Sequence, residues 1–269
     1  MKEGESRTVL ITGFSSGIGR ALAQQFARDG YDIIGVARDK AKMQDTADEL
    51  IYEHGIEVHL IQKDLAQDGA AKDVYEEVKT MDKTIDVLVN DAGVGQHGNF
   101  TDIPYERYAH LIHLNVITLT HLTHLFLKDM VSRDKGRILN LGSVAGFQPG
   151  PLLAVYHATK AFVVSLSEAL ATELEEMKSK VSVTCLCPGP TDTAFFDRAD
   201  MEETNVVHYK DKLMMPPEEV AEGAYKALMD GERIFIPGTM NKVSTLIRRV
   251  IPKSTQSRTQ MKYYEHHEE

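Results

Sequence analysis

Of 269 residues only two are cysteine, Cys185 and Cys187, too few for a disulfide framework. They stand at i and i+2 in an apolar run, so they share one strand face and read as reduced thiols, which fits a reducing, cytoplasmic setting. No uninterrupted apolar stretch approaches the roughly 18 residues that a bilayer crossing needs. The N-terminus, MKEGESRTVL, places two acids before any apolar run, unlike a secretory signal. Positive charge is also in deficit. Thirty Lys and Arg against 40 Asp and Glu give a net charge of −10, so long-range attraction to nucleic acid is disfavoured. No Pro/Gly/Ser-rich linker and no internal repeat divides the chain, which argues for a single domain.

Acid itself is missing from one region. Between Arg233 and Tyr264 there is none, while Lys242, Arg248, Arg249, Lys253, Arg258 and Lys262 all occur. Val243, Leu246, Ile247, Val250 and Ile251 recur among them at helical spacing. The first reading is a final helix laid on its own domain. The second is contact with a membrane surface or a partner.

What is present is alternation. Apolar, β-branched runs at Thr8–Thr12, Asp32–Ala37, Glu57–Gln62, Ile85–Asn90, Arg137–Leu141, Ser182–Cys187 and Arg233–Pro237 read as strands. Helical patterns lie between them: one marked by Ile18, Ala21, Leu22 and Phe26, then 39–54, 66–80, 105–132, 154–177 and 217–230. Runs such as VLIT, VLVN and RILNL are apolar on both faces, so both faces must be covered. Strand–helix repetition of this kind implies right-handed crossovers. The fold class is α/β: a single-domain, Rossmann-like, doubly wound parallel sheet of about seven strands. The stretch 191–216 has weak periodicity and reads as a mobile loop.

After the first strand comes TGFSSGIGR, with Gly13, Gly17 and Gly19 spaced G-x-x-x-G-x-G. Such a turn lets backbone approach a phosphate, and the helix that follows offers free N–H groups and a positive dipole end. No Gly-Lys-Ser/Thr closes it, so it is not a Walker A loop. A dinucleotide site that prefers NAD carries an acid near the end of the second strand. Here Ala37 holds that place and Arg38 follows, and a guanidinium suits a ribose 2′-phosphate. The expected cofactor is therefore NADP(H), favoured over NAD(H). Asp39 reads as the cap of the next helix.

The pentapeptide YHATK sets Tyr156 and Lys160 four residues apart, on one helical face. A phenol beside a fixed cation ionises more readily than its reference pKa of about 10 suggests. Hydride transfer to a carbonyl leaves an alkoxide that needs a proton. Tyr156 can supply it, and serves as base in reverse. Ser143, just beyond the fifth strand, is placed to hydrogen-bond the carbonyl oxygen.

These motifs fall in one order that resembles the short-chain dehydrogenase/reductase (SDR) family, from about Arg7 to Gly238. TGFSSGIG resembles its glycine motif. Asp64 in KDL resembles the segment beside the adenine ring, and NDAG, Asn90 to Gly93, its Asn-Asn-Ala-Gly. Asp91 departs from that pattern. Asn115 in HLNV, Ser143 in LGSVAG, YHATK, and PGPTDT from Pro188 complete the series. The resemblance implies a catalytic set of Asn115, Ser143, Tyr156 and Lys160. In it Lys160 also holds the nicotinamide ribose and Asn115 supports a water relay. It implies a cofactor site of Gly13, Ser15, Ser16, Gly17, Ile18, Gly19, Arg38, Asp64, Leu65, Asn90, Ala92, Gly93, Tyr156, Lys160, Pro188 and Gly189. Thr191 and Thr193 would meet the nicotinamide carboxamide. Residues 1–240 would form the dinucleotide-binding and catalytic domain, with a substrate loop at about 190–216, and 241–269 a basic amphipathic C-terminal extension.

The substrate pocket is expected among Ser143, Phe147, Leu152, Leu153, Tyr156, Phe195, Phe196, Met214 and Met215. These are mostly apolar and adaptable. Nothing cationic stands out to grip a carboxylate, so an apolar ketone or secondary alcohol, lipid-like or aromatic, is favoured. The expected function is an NADP(H)-dependent oxidoreductase, a carbonyl reductase or alcohol dehydrogenase. The alternative is a non-catalytic NADP(H)-sensing protein on the same fold. A serine hydrolase is disfavoured because Leu141-Gly142-Ser143-Val144-Ala145 is no G-x-S-x-G elbow. His110, His113, His121 and His124 form a helical stripe that reads as a solvated or subunit-facing surface, and His157 as structural. No metal site is expected. A homodimer or homotetramer through the two long helices is implied by the resemblance.

Overall fold

A computed structural model describes residues 7–209, 214–247 and 250–265. Seven parallel strands make one sheet in the order β3-β2-β1-β4-β5-β6-β7. They are β1 Arg7–Thr12, β2 Tyr31–Ala37, β3 Val58–Gln62, β4 Ile85–Asn90, β5 Arg137–Leu141, β6 Ser182–Leu186 and β7 Ile234–Phe235. The strand order reverses between β1 and β4. In an open α/β sheet that switch point opens a crevice at the strands' carboxyl ends.

Successive residues of β1 serve opposite faces, as strand pleating requires. Val9 and Ile11 pack with Leu22 and Phe26 of α1 (Gly17–Arg28) and with Val220 and Leu228 of a late helix. Leu10 packs with Val74, Leu88, Phe126 and Ile138 on the other side. Both faces are thus dry, which is why these strands are apolar throughout.

Helix α2 (Lys40–His54) starts where Asp39 accepts the Lys42 N–H at 3.2 Å, so Asp39 is a cap. Helix α3 (Ala70–Thr80) starts four residues later than its periodicity suggests. There the Asp64 carboxylate takes the Ala66 N–H in a turn at 3.1 Å, and Gly69 sits at φ +80° before the helix. The long pattern 105–132 is α4 (Tyr105–Ile112), a π-helical segment (His113–Thr118) and α5 (Leu119–Ser132) in succession. Next come a 3₁₀ turn (Val144–Phe147) and α6 (Ala154–Glu176). The stretch 191–216, read as a mobile loop, contains α7 (Phe195–Arg198) and α8 (Asn205–His208), and a bridge pairs Thr191 with Met215. Part of that stretch, 210–213, lies outside the described residues. Helices α9 (Pro217–Asp230), α10 (Thr239–Ile247) and α11 (Lys253–Tyr264) complete the chain.

Candidate active site

A cavity of about 1130 Å³ lies at the carboxyl ends of the central strands. One end is bounded by Gly13, Ser15, Ser16, Gly17 and Ile18 of the glycine turn, and beyond them by Arg38, Asp64 and Leu65. Ala92 and Gly93 form its floor, followed by Ser143, Tyr156 and Lys160, with Pro188, Gly189, Thr191 and Thr193 on the β6 side.

The turn needs its glycines. Gly13 and Gly17 sit at φ +75° and +58°, a region closed to most side chains. Gly19 has another role. A Cβ there would lie 2.6 Å from both the Gly13 carbonyl and Asp91 Oδ2. Its N–H donates to the Asp91 carboxylate. Gly19 therefore serves helix–strand closeness and does not line the cavity, contrary to expectation. Asn90 does not line it either. Its amide donates to Thr123 Oγ1 at 3.0 Å and Asn140 Oδ1 at 2.9 Å, tying β4 to β5.

Tyr156 and Lys160 share a face of α6, as their spacing demands. Lys160 is buried and donates to the Leu141 carbonyl at 2.7 Å, with Nζ 5.7 Å from the Tyr156 ring centroid. Burial lowers its pKa to about 8, against the pull of Asp91, which favours the charged form. The phenol differs from expectation. Burial pushes it up to about 12, and a hydrogen bond with Ser143 only partly opposes this. The ammonium stands by the ring and is held by Leu141, so it does not depress the phenol as sequence spacing suggested.

Ser143 begins the 3₁₀ turn. Its Oγ accepts the Ala145 N–H at 3.1 Å and lies 3.4 Å from the Pro188 carbonyl, to which it donates. Asn115 lies in the π-helical segment, buried behind the floor. It accepts from Val94 N–H at 3.0 Å, donates to Val94 C=O at 2.9 Å, and donates to Thr159 Oγ1 at 3.2 Å. These bonds use one of the two Oδ1 lone pairs.

Of the expected substrate residues, Leu153, Tyr156, Phe195 and Phe196 line the cavity. Phe147 instead borders a separate hollow beside Pro252 and Lys253, because it packs against the cluster of Leu119, Val163 and Val164. Leu152 and Met214 pack in the apolar cluster around Leu153, Phe196 and Val206 behind the wall. Met215 packs against the main core and pairs with Thr191.

Sequence reasoning missed several lining groups. Lys42 and Lys63 join Arg38 at the far end. Arg198 spans to Ser16 Oγ at 3.5 Å beside the glycine turn. Asn241, Ser244, Gln260, Tyr263 and Tyr264 bring the C-terminal segment into the wall. Lys42 and Lys63 were legible as cations shortly after the second and third strands. The C-terminal residues had no local signal.

The histidine stripe does not run as an α-helix would carry it, because the π turn shifts register between His113 and His121. His113 Nε2 contacts Asp68 Oδ1 at 2.9 Å, and His110 lies within electrostatic range of Asp64. Buried His157 bonds the Gln148 carbonyl at 2.9 Å and the Tyr264 hydroxyl at 3.1 Å. Among the described residues no three His, Cys, Asp or Glu gather as a metal site.

A nicotinamide dinucleotide fits the features present. The glycine turn offers backbone where a Cβ at Gly17 would meet Thr193 Cγ2 at 3.1 Å. The helix N-terminus with Arg198 suits a pyrophosphate, and the cavity runs from there to Tyr156.

Comparison with known proteins agrees with this geometry. A profile of the short chain dehydrogenase family matches residues 7–204. The chain is 28% identical over 235 residues to a 7beta-hydroxysteroid dehydrogenase of Collinsella aerofaciens, covering 87% of each. It superposes on a short-chain dehydrogenase of Sphingobium yanoikuyae in complex with NADPH at TM-score 0.79 and 33% identity, covering 92% of this chain and 97% of that one. A short-chain dehydrogenase/reductase of Burkholderia phymatum in complex with NAD superposes at TM-score 0.81 and 24% identity, covering 93% and 95%, and shows the fold alone.

Proposed function

Since the chain belongs to the short-chain dehydrogenase/reductase family, oxidoreductases acting on CH–OH donors, we propose that it transfers a hydride between NADP(H) and an apolar carbonyl or secondary alcohol. The observation that carries this reading is the meeting of Ser143, Tyr156 and Lys160 in the cavity that also holds the glycine turn.

The bound nicotinamide supplies or takes the hydride. The chain's residues manage the proton. In the reducing direction Ser143 holds the carbonyl oxygen by a hydrogen bond, and Tyr156 gives its proton to that oxygen as charge develops. Lys160, charged below about pH 8, helps return a proton to Tyr156, and Asn115 steadies the floor and a relay water. Burial keeps the Tyr156 phenol protonated at neutral pH, the form that can give a proton in the reducing direction.

Three cations, Arg38, Lys42 and Lys63, support NADP(H), because a 2′-phosphate gains charge-assisted hydrogen bonds there. No acid follows Val36 until Asp39, which is engaged as a cap. The substrate wall of Leu153, Phe195 and Phe196 supports an apolar ketone, and the relative from Collinsella aerofaciens is named for a hydroxysteroid. We further propose a homo-oligomer formed through α4–α5 and α6, where Ile112, Ile117 and Phe162 are exposed. A cytoplasmic setting suits the free, buried thiols of Cys185 and Cys187.

The test is NADPH oxidation against a panel of apolar ketones, with Tyr156→Phe in parallel. Turnover is expected for at least one ketone, reduced about 10²–10⁴-fold in the variant, the scale of lost general acid catalysis. NADPH affinity should be unchanged. Binding of NADPH with no oxidation by any ketone would favour the sensing alternative. Undiminished turnover in Tyr156→Phe would remove the proton role.

A further inference from the structure

Helix α10 is inside out. A surface helix ordinarily buries its apolar stripe and wets its polar one. Here Asn241 and Ser244 line the catalytic cavity and Thr245 is buried. The apolar side chains face away. Met240 is 80% exposed, Leu246 63% and Val250, just past the helix, 84%, with Val243 and Ile247 about half exposed. Met240, Val243 and Ile247 recur at i, i+3 and i+7 and so form one stripe. The expectation that this apolar pattern would pack on its own domain fails for α10. Helix α11 does pack there, through buried Gln256, Gln260 and Tyr264.

The surroundings say what covers the stripe. Exposed Lys242, Lys253 and Arg258 lie on or after it, and the acid-free sequence around it adds Arg248 and Arg249. The rest of the chain carries the negative charge that brings the total to −10, so this is a basic stretch of sequence on an acidic protein. A basic helix with an exposed apolar stripe matches the interface of an anionic bilayer, where side chains enter the acyl boundary and cations meet headgroups. A two-fold contact with a second copy would set the patch against itself, cation against cation. A nucleic acid would use the cations and leave Met240, Val243 and Leu246 wet.

We propose that the outward face of α10 with its basic flanks docks this protein on an anionic lipid surface. Docking would set the cavity wall at Asn241 and Ser244 next to the bilayer, where an apolar ketone is concentrated. The docking itself is independent of the hydride-transfer reading and can be tested without a substrate.

The full chain is sedimented with phosphatidylcholine vesicles and with vesicles containing phosphatidylglycerol. Binding to the anionic vesicles only, weakened by salt, is expected. Val243→Glu/Leu246→Glu should lower the partition coefficient by roughly tenfold or more, and Lys253→Glu/Arg258→Glu should lower it as well. Ellipticity melts check that the variants fold. The chain has no tryptophan, so Leu246→Trp gives a second readout that needs no destabilising charge. Its emission should shift to the blue on anionic vesicles and be quenched by brominated acyl chains. Absence of vesicle binding, or a tryptophan that stays wet, overturns the proposal. So does duplex DNA binding that competes equally with vesicles. Dissociation of an oligomer by Val243→Glu/Leu246→Glu with lipid binding intact would assign the face to a second copy instead.

Discussion

Asp91 places a carboxylate where the surroundings favour a neutral group. Its Oδ2 lies under Gly13 and Gly19 and accepts the Gly19 N–H, while buried Oδ1 has no hydrogen-bond partner among the described residues. Burial raises its pKa from 3.8 to about 7, with Lys160 the main opposing charge and Gly19 N–H and Arg198 following. The folded chain thus holds a proton that the unfolded chain releases between about pH 4 and 7, so this group's contribution to stability falls as pH rises through that window. Lys160 acts oppositely. Its pKa, lowered from 10.5 to about 8, makes the unfolded chain bind the extra proton between those values, and stability rises with pH there. Asp91→Asn keeps the shape and removes the first titration. Its stability relative to wild type, followed by denaturant melts, should improve steadily from pH 4 to 7. A difference that stays flat over that range would contradict the raised carboxyl. The same variant takes from Lys160 the carboxylate that holds its charge, so the alkaline limb of kcat/KM should move to lower pH. In the sequence Asp91 is legible only as a departure from the family pattern. Only the fold brings Gly13, Gly19 and Lys160 around one side chain.

At the scale of elements, the parallel sheet was legible because it needs no long-range information to recognise. Strands buried on both faces are apolar at every position, and VLIT and VLVN are such runs. The π-helical turn was not legible. A wheel of 3.6 residues assigns faces on both sides of Asn115 as if nothing intervened, and one wider turn moves every later residue round the axis. That turn has a use. It seats Asn115 so that one side chain takes both the N–H and C=O of Val94, fixing the floor beside Gly93, whose absent Cβ would lie 3.3 Å from Asn115 Oδ1. Asn115→Ala would leave the Val94 groups without their partner, at a cost of about 1–3 kcal/mol per buried group. A lower melting temperature and a raised KM for NADPH are expected, with Asn115→Asp recovering only the acceptor half. Unchanged cofactor KM together with unchanged kcat would confine Asn115 to a purely structural role.

Across the whole molecule, the boundary drawn at residue 240 separates parts that the fold joins. His97 and His157 lie 167 and 107 residues from Tyr264, yet His97 Nε2 meets the Tyr264 carbonyl at 2.8 Å and His157 Nε2 meets its hydroxyl at 3.1 Å. No window of sequence holds that information. It arises because α6 turns His157 about 100° round the helix from Tyr156, and α11 returns to the cavity wall. Tyr264 thus has two functions, as brace and as wall. They separate by substitution. Tyr264→Phe keeps the ring and strips His157 of its hydroxyl partner, a stability loss of about 1–3 kcal/mol with kinetics for apolar ketones near normal. Tyr264→Ala adds the loss of apolar wall, and the KM for a bulky ketone should rise about tenfold or more, on the scale of a deleted pocket contact. NADPH affinity should hold in both variants, because Tyr264 lies at the substrate end. If Tyr264→Ala and Tyr264→Phe raise the ketone KM equally, the ring is not part of the substrate wall and the C-terminal helix serves stability alone.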